Sequence, residues 1–290
     1  MKFKQITIIG VGLLGGSFAL AMRSQNSADK IVGVSRRLSS AENALSLGII
    51  DEASDDIHSA VKNADLVLIA TPLLSMADVL RQVAGAVSEN CLITDVGSVK
   101  NALVEMVQTN FPQLLSQFVF AHPIAGGERS GAGAAREDLF SNRHLILADT
   151  HLVKPRFMQM SKTLWQSIGA KVVEMSAKEH DEIFAYTSHL PHVVAYALVN
   201  NLHQHERNKQ LFEFASAGFY DFTRIASSDP QMWRDICLSN KQEVLTSVKQ
   251  FSAQLSRLEQ AIENSDANAL KDMFNDAKQA RDEGLIKKGR

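Results

Sequence analysis

Cysteine is almost absent: Cys91 and Cys237 are the only two in 290 residues, far apart and in no C-x-x-C or Cys/His spacing. That excludes a disulfide framework and gives no metal or redox motif, so both read as small buried hydrophobes of a reduced protein. Proline is also sparse, at six residues, and no Pro/Gly-rich linker, internal repeat or low-complexity tract interrupts the chain. No apolar run approaches the roughly 18 residues that a membrane span requires. Met1-Lys2-Phe3-Lys4 leads straight into a strand rather than a signal-peptide core. These absences predict a cytoplasmic protein without a membrane partner. Charge of one sign is missing too: 30 Lys and Arg face 32 Asp and Glu, so no nucleic-acid partner is expected. What remains, 45% hydrophobic and 21% charged residues, is ordinary for a globular chain, and the length suggests about two domains.

The run Ile6-Thr7-Ile8-Ile9-Gly10-Val11-Gly12-Leu13-Leu14-Gly15-Gly16-Ser17 is a β-branched strand that breaks into a glycine-rich turn and then an apolar helix, Phe18 to Met22. In that context G-x-G-x-x-G is a dinucleotide fingerprint. Gly10 permits the tight turn, Gly12 lets the backbone approach the pyrophosphate, and Gly15 lets helix and strand pack closely. Leu13 and Leu14 open the helix whose N-terminus faces the phosphates. The second strand, Lys30 to Val34, ends in Ser35-Arg36-Arg37. A carboxylate there would accept from the ribose 2′-OH of NAD. A hydroxyl and two guanidinium groups suit a 2′-phosphate instead, which predicts NADP; two solvated arginines beside NAD are the alternative.

Short apolar strands then alternate with amphipathic helices. Strands are expected at 64–70, 91–95, 117–121 and 144–147, helices near 41–47, 57–62, 75–88 and 99–109, then a helix over 154–168 and a last strand over 171–175. The alternation implies a parallel sheet covered on both faces. After Ser176 the apolar spacing becomes helical over 181–203, 231–263 and 266–283. The expectation is an α/β Rossmann-type domain, residues 1–175, followed by an all-α domain, residues 176–290. Ligands of such sheets lie at the carboxyl ends of the strands. There stand Thr71-Pro72, placed to lie along the cofactor or simply to open a helix, then Asp95-Val96-Gly97-Ser98-Val99-Lys100, then His122-Pro123-Ile124-Ala125-Gly126-Gly127-Glu128.

With G-V-G-L-L-G-G-S at 10–17, D-V-G-S-V-K at 95–100, H-P-I-A-G-G-E-R-S-G at 122–131, S-H-L-P-H at 188–192, D-F-T-R-I-A-S-S-D-P at 221–230 and M-W-R-D at 232–235, the chain resembles, over nearly its whole length, the prephenate and arogenate (cyclohexadienyl) dehydrogenases of tyrosine biosynthesis. The resemblance implies oxidative decarboxylation of a cyclohexadiene. A ring 4-hydroxyl loses its proton, its carbon passes a hydride to the nicotinamide, and carbon dioxide leaves as the ring becomes aromatic. It implies His122 as the base, a task that suits an imidazole near neutrality, with Ser98 as its hydrogen-bonding partner. It implies Arg224 as the fork that holds the ring carboxylate, and His192, four residues after Ser188, as a contact of the substrate side chain. Trp233 resembles a tryptophan that reaches the neighbouring subunit, although an aromatic at helical spacing also suits a core or a dimer interface. His189 is a weaker candidate, and His189 with His192 lacks a third ligand for a metal. The remaining histidines carry no such case; His203 and His205 face different sides of a helix.

Prephenate is the expected substrate. Glu128 fits the ammonium group of arogenate as well as a water or Arg129, so an arogenate or dual-specificity enzyme stays open. A non-catalytic NADP-binding regulator is the reading from a different class. The apolar residues Ile183, Phe184, Leu190, Val193, Val194, Ala197 and Leu198 spread more widely around their helix than one buried stripe needs. Together with the resemblance they predict a homodimer, a self-contained bundle being the rival. No further ligand-binding module is recognisable, and Lys287-Lys288-Gly289-Arg290 reads as a solvated tail.

Overall fold

The computed structural model describes residues 1–127 and 129–287, so Glu128 and the tail from Lys288 lie outside the described residues. Eight strands form one sheet: β1 Phe3–Ile9, β2 Ala28–Val34, β3 Glu52–Ser54, β4 Leu66–Ile69, β5 Leu92–Asp95, β6 Phe118–Pro123, β7 His144–Ala148 and β8 Lys171–Met175. Their order is β3-β2-β1-β4-β5-β6-β7-β8. The inner strands read as continuous apolar runs because both faces are covered. Alternation along each strand divides those runs between two cores. Ile6 and Ile8 of β1, with Leu66 and Leu68 of β4, join Phe18, Met22, Phe157 and Trp165 from the helices Leu13–Ser24 and Pro155–Ser167. Ile9, Val67 and Ile69 point the other way, to Val79, Leu80, Leu103 and Val107 of Met76–Ala84 and Asn101–Asn110.

Two features depart from the expected parallel sheet. β3 is an additional strand at the sheet edge, invisible in the sequence because three residues of Glu-Ala-Ser give no apolar alternation. β7 runs antiparallel to β6, while every other pairing is parallel. A parallel return needs a crossover, usually a helix. The connection over 124–143 holds only the 3-10 turn Ala132–Ala134 among its described residues, so the chain turns back beside β6.

After Met175 the described chain is helical. The expected helix over 181–203 is a longer composite: Ala177–Phe184, a π-helical turn Ala185–His189, and Leu190–Gln204 with Pro191 in its first turn. Such single π turns recur at functional sites. The expected run 231–263 is broken into Pro230–Ser239 and Lys241–Glu263 at Asn240, whose backbone leaves helical geometry. Two short helices, Asn208–Glu213 and Ala217–Thr223, lie between the expected helical stretches. By packing, Met1–Lys241 forms one compact unit, so the helices up to Lys241 go with the sheet, and Gln242–Arg290 forms another. Among the described residues no helix is long and apolar enough to cross a membrane.

Candidate active site

The glycine turn follows β1. Gly10 has φ +97°, in the left-handed region, and a side chain there would meet the Ala70 carbonyl oxygen at 2.5 Å. Gly15 packs so closely that a Cβ would lie 2.2 Å from the Gly10 oxygen, whereas a Cβ on Gly12 would have nothing within 4 Å. Gly12 is the N-cap of Leu13–Ser24, and no side chain caps that helix. The first N–H groups of the helix, at Leu13 and Leu14, therefore have no intrahelical acceptor and lie beside the open space at Gly12. That is an anion cradle. At the end of β4, Thr71 Oγ1 is buried without a hydrogen-bond partner, and its backbone nitrogen would lie 3.2 Å from a Gly10 Cβ. An orphaned hydroxyl beside the cradle fits a missing polar ligand. Pro72 caps the 3-10 turn Leu73–Ser75. Gly10 N–H also donates to the Val34 carbonyl at 2.8 Å, which sets Ser35 next to the turn. Ser35 is half-buried, and Arg36 and Arg37 are exposed. The residues present thus fit a dinucleotide.

A second cluster forms where β5 and β6 end. Their backbone ladder registers Ile93 with Phe118 and Thr94 with Val119, and side chains then take over its role. Asp95 Oδ1 accepts from Ala121 N at 3.0 Å, while Lys100 Nζ donates to the Ala121 carbonyl at 2.8 Å and forms an ion pair with Asp95. Both charged side chains are fully buried. The next residue is His122, itself buried. Its Nδ1 lies 2.7 Å from His180 Nε2, and His180 Nδ1 lies 2.7 Å from Asp181 Oδ1. Asp181 also accepts from Lys100 N at 2.8 Å and Asn101 N at 2.9 Å, at the start of Asn101–Asn110. Phe184 closes one side, its ring 5.0 Å from that of His122 and 4.6 Å from that of His180. Burial, followed by the charges of His180, Lys100 and His189, drives the proton affinity of His122 well below the ordinary histidine range. Burial also lowers His180, against the pull of Asp181.

Ser98 is half-buried in the loop after β5. The partner that the structure gives to His122 Nδ1 is His180 and not Ser98. His180, set aside in the sequence among the histidines without a case, is thus the histidine nearest the center of this cluster. His203 and His205 are exposed.

The remaining expected residues gather on the helices. His192 Nδ1 donates to the half-buried Ser188's carbonyl at 2.8 Å, which in the neutral ring leaves Nε2 as an acceptor. Its ring stacks on Trp233 with centroids 3.6 Å apart and planes at 20°. Trp233 is buried with Val99 and Ile236, so it packs within its own chain, and its indole Nε1 has no partner among the described residues. Arg224, exposed at the start of a 3-10 turn, is near enough for its charge to help burial lower His192's proton affinity. Asn240 joins the two groups: its amide donates to the Asp181 carbonyl at 2.8 Å and lies 3.2 Å from His189 Nδ1. Burial lowers the His189 pKa to about 4. Among the described residues no group of three or more His, Cys, Asp or Glu side chains is arranged to hold a metal ion.

Comparison with known proteins gives the family. The chain matches the family model "Prephenate dehydrogenase, nucleotide-binding domain" over residues 18–174 and "Prephenate dehydrogenase, dimerization domain" over residues 176–276. It is 39% identical over 279 residues to a prephenate dehydrogenase of Bacillus subtilis (strain 168), an alignment covering 96% of this chain and 75% of the relative. It is 35% identical over 283 residues to a cyclohexadienyl dehydrogenase of Zymomonas mobilis, covering 96% and 95%. A solved structure of Aquifex aeolicus prephenate dehydrogenase with hydroxyphenyl propionate and NAD+ superposes with a TM-score of 0.90 at 35% identity, over 98% of this chain and 99% of that one. With an N-terminal nucleotide-binding sheet followed by helices and with these matches along its length, the chain belongs to the prephenate dehydrogenase family.

Proposed function

We propose that this protein oxidatively decarboxylates prephenate to 4-hydroxyphenylpyruvate with NADP as hydride acceptor, residues 1–175 holding the dinucleotide and residues 176–290 supplying substrate contacts and the dimer interface. Family membership makes it an oxidoreductase of tyrosine biosynthesis. The observation that carries the residue-level reading is His122: a neutral, buried imidazole at the carboxyl end of a strand, where such sheets bind ligands. Bound NADP would supply the acceptor for the hydride. His122 takes the proton of the ring hydroxyl as that hydride leaves its carbon. The electron pair of the carboxyl carbon's bond then enters the ring as carbon dioxide departs, and His122 returns the proton to the phenolate oxygen, so the reaction releases no net proton. Arg224 holds the departing carboxylate, His192 and Ser188 meet the side chain, and Trp233 backs His192. Gly10, Gly12, Leu13, Leu14, Gly15, Thr71 and Pro72 border the dinucleotide.

Ser35, Arg36 and Arg37 support NADP. The relative from Aquifex aeolicus is seen with NAD+, so cofactor binding is the test. A charge-assisted pair of bonds to the 2′-phosphate contributes roughly 1.5–3 kcal/mol, or about 10- to 100-fold in affinity. NADP is expected to bind at least about tenfold more tightly than NAD, and R36A/R37A to erase the difference. Tighter binding of NAD by the unaltered protein would contradict it.

One observation favours a second reading, activity on arogenate. The acceptor left at His192 Nε2 complements an ammonium donor better than it does a keto group. Ratios of kcat/KM for the two substrates decide between them, prephenate being expected to lead.

The dimerization-domain match and the exposure of Phe214, at 80%, and of Tyr220 and Phe222 support a homodimer. Obligate interfaces bury roughly 2,000 Å² or more and are largely apolar. Sedimentation equilibrium at submicromolar concentration is expected to give a dimer, and a fully active monomer would overturn this.

A further inference from the structure

The lowered proton affinity of His122 keeps it neutral but does not by itself say which ring nitrogen carries the hydrogen. A base must present a lone pair, so the tautomer decides whether His122 works. That choice is set by the hydrogen bond made by the other nitrogen.

The chain of contacts behind His122 has one consistent solution. Asp181 is held from the helix start by the backbone N–H groups of Lys100 and Asn101, both donating to its carboxylate. Its Oδ1 lies 2.7 Å from His180 Nδ1, so His180 Nδ1 carries a hydrogen. A neutral His180 then has a lone pair on Nε2. The atom 2.7 Å from that lone pair is His122 Nδ1, which must donate. His122 is left with its lone pair on Nε2. We infer that His180 and Asp181 are positioning residues that lock His122 into the Nδ1–H tautomer, leaving Nε2 as the proton acceptor. Phe184 holds the two imidazoles from the side. The charged and titratable groups facing the pair are Lys100 and Asp95 from the end of β5 and its loop, and His189 from the π-helical turn. Because Asp181 also anchors the start of Asn101–Asn110, the catalytic ring and that helix share one buried carboxylate.

The inference rests on His122 being the base, and the test separates the two. H180L removes the acceptor; H180Q can place its Oε1 where Nε2 stands and accept from His122 again. Expected are a fall in kcat of about 10- to 100-fold for H180L, with KM within about threefold, and recovery to within about fivefold of the unaltered enzyme for H180Q. A purely structural role would make both variants lose melting temperature alike and leave kcat per folded molecule unchanged, which would overturn the inference. If H122N kept its kcat, the base assignment itself would fail. A collapse of H122N beside a normal H180L would sink only the positioning role. Nitrogen-15 imidazole spectra of the unaltered protein at neutral pH give a reading free of folding defects. A protonated Nδ1 with unprotonated Nε2 at His122 is expected, and the reverse tautomer would refute it.

Discussion

Replacing His122 with Asn is expected to lower kcat by about 100-fold or more while KM for prephenate moves only a few-fold. The reason is a division of labour. General-base catalysis contributes roughly 10²- to 10⁴-fold, and an amide retains hydrogen bonding but cannot take the hydroxyl proton. A loss confined to kcat marks an interaction made in the transition state rather than in the ground state. The sign of the pH dependence follows from the environment. Burial and the neighbouring His180, Lys100 and His189 depress the proton affinity of His122 below the ordinary value of 6.5, so its neutral form dominates at neutrality. In the unaltered enzyme the acid limb of kcat/KM is therefore expected below 6.5, and in H122N that limb should vanish. A variant with near-normal kcat would contradict the role.

The second large effect is expected from the buried ion pair that holds the strand end beneath His122. Asp95 and Lys100 are both fully buried, and together they grip the N–H and the carbonyl of Ala121. Removing one partner of a buried pair leaves the other charge uncompensated, at a cost of about 3–5 kcal/mol. K100M should lose stability on that scale in urea unfolding. It should also lose activity, because the residue before His122 is no longer held. Burial pulls the Lys100 ammonium's proton affinity down, opposed first by Asp95 and then by Asp181; the double variant D95N/K100M, which removes both charges of the pair, should recover part of the loss. An unfolding midpoint for K100M equivalent to a change below about 0.5 kcal/mol would show that the pair does not support the site.

What was legible in the sequence follows from how local each signal is. The glycine turn is local: a Cβ at Gly10 or Gly15 would lie 2.5 or 2.2 Å from a backbone oxygen, and the spacing of the glycines alone betrays them. The apolar strands are likewise readable, since burial on both faces leaves continuous runs. β3 was not, because an edge strand of three residues is held by its neighbour β2 rather than by its own pattern. The antiparallel turn of β7 depends on what the intervening segment lacks. The histidine cluster is non-local: His122 and His180 are 58 residues apart, and nothing in Lys178-Glu179-His180-Asp181 separates a buried relay from an exposed helical turn. Asn240 shows the same limit. Its break between helices makes sense only beside Asp181 and His189, residues it meets from more than 50 positions away.

The most direct measurement is a single reaction mixture of the purified protein with prephenate and NADP. In it, reduced nicotinamide, carbon dioxide and 4-hydroxyphenylpyruvate are followed together, with H122N run in parallel. The three products are expected to rise in equal amounts for the unaltered protein and to fall together by about 100-fold in H122N. NADP binding without formation of these products, or equal product formation by H122N, would contradict the assignment of this site.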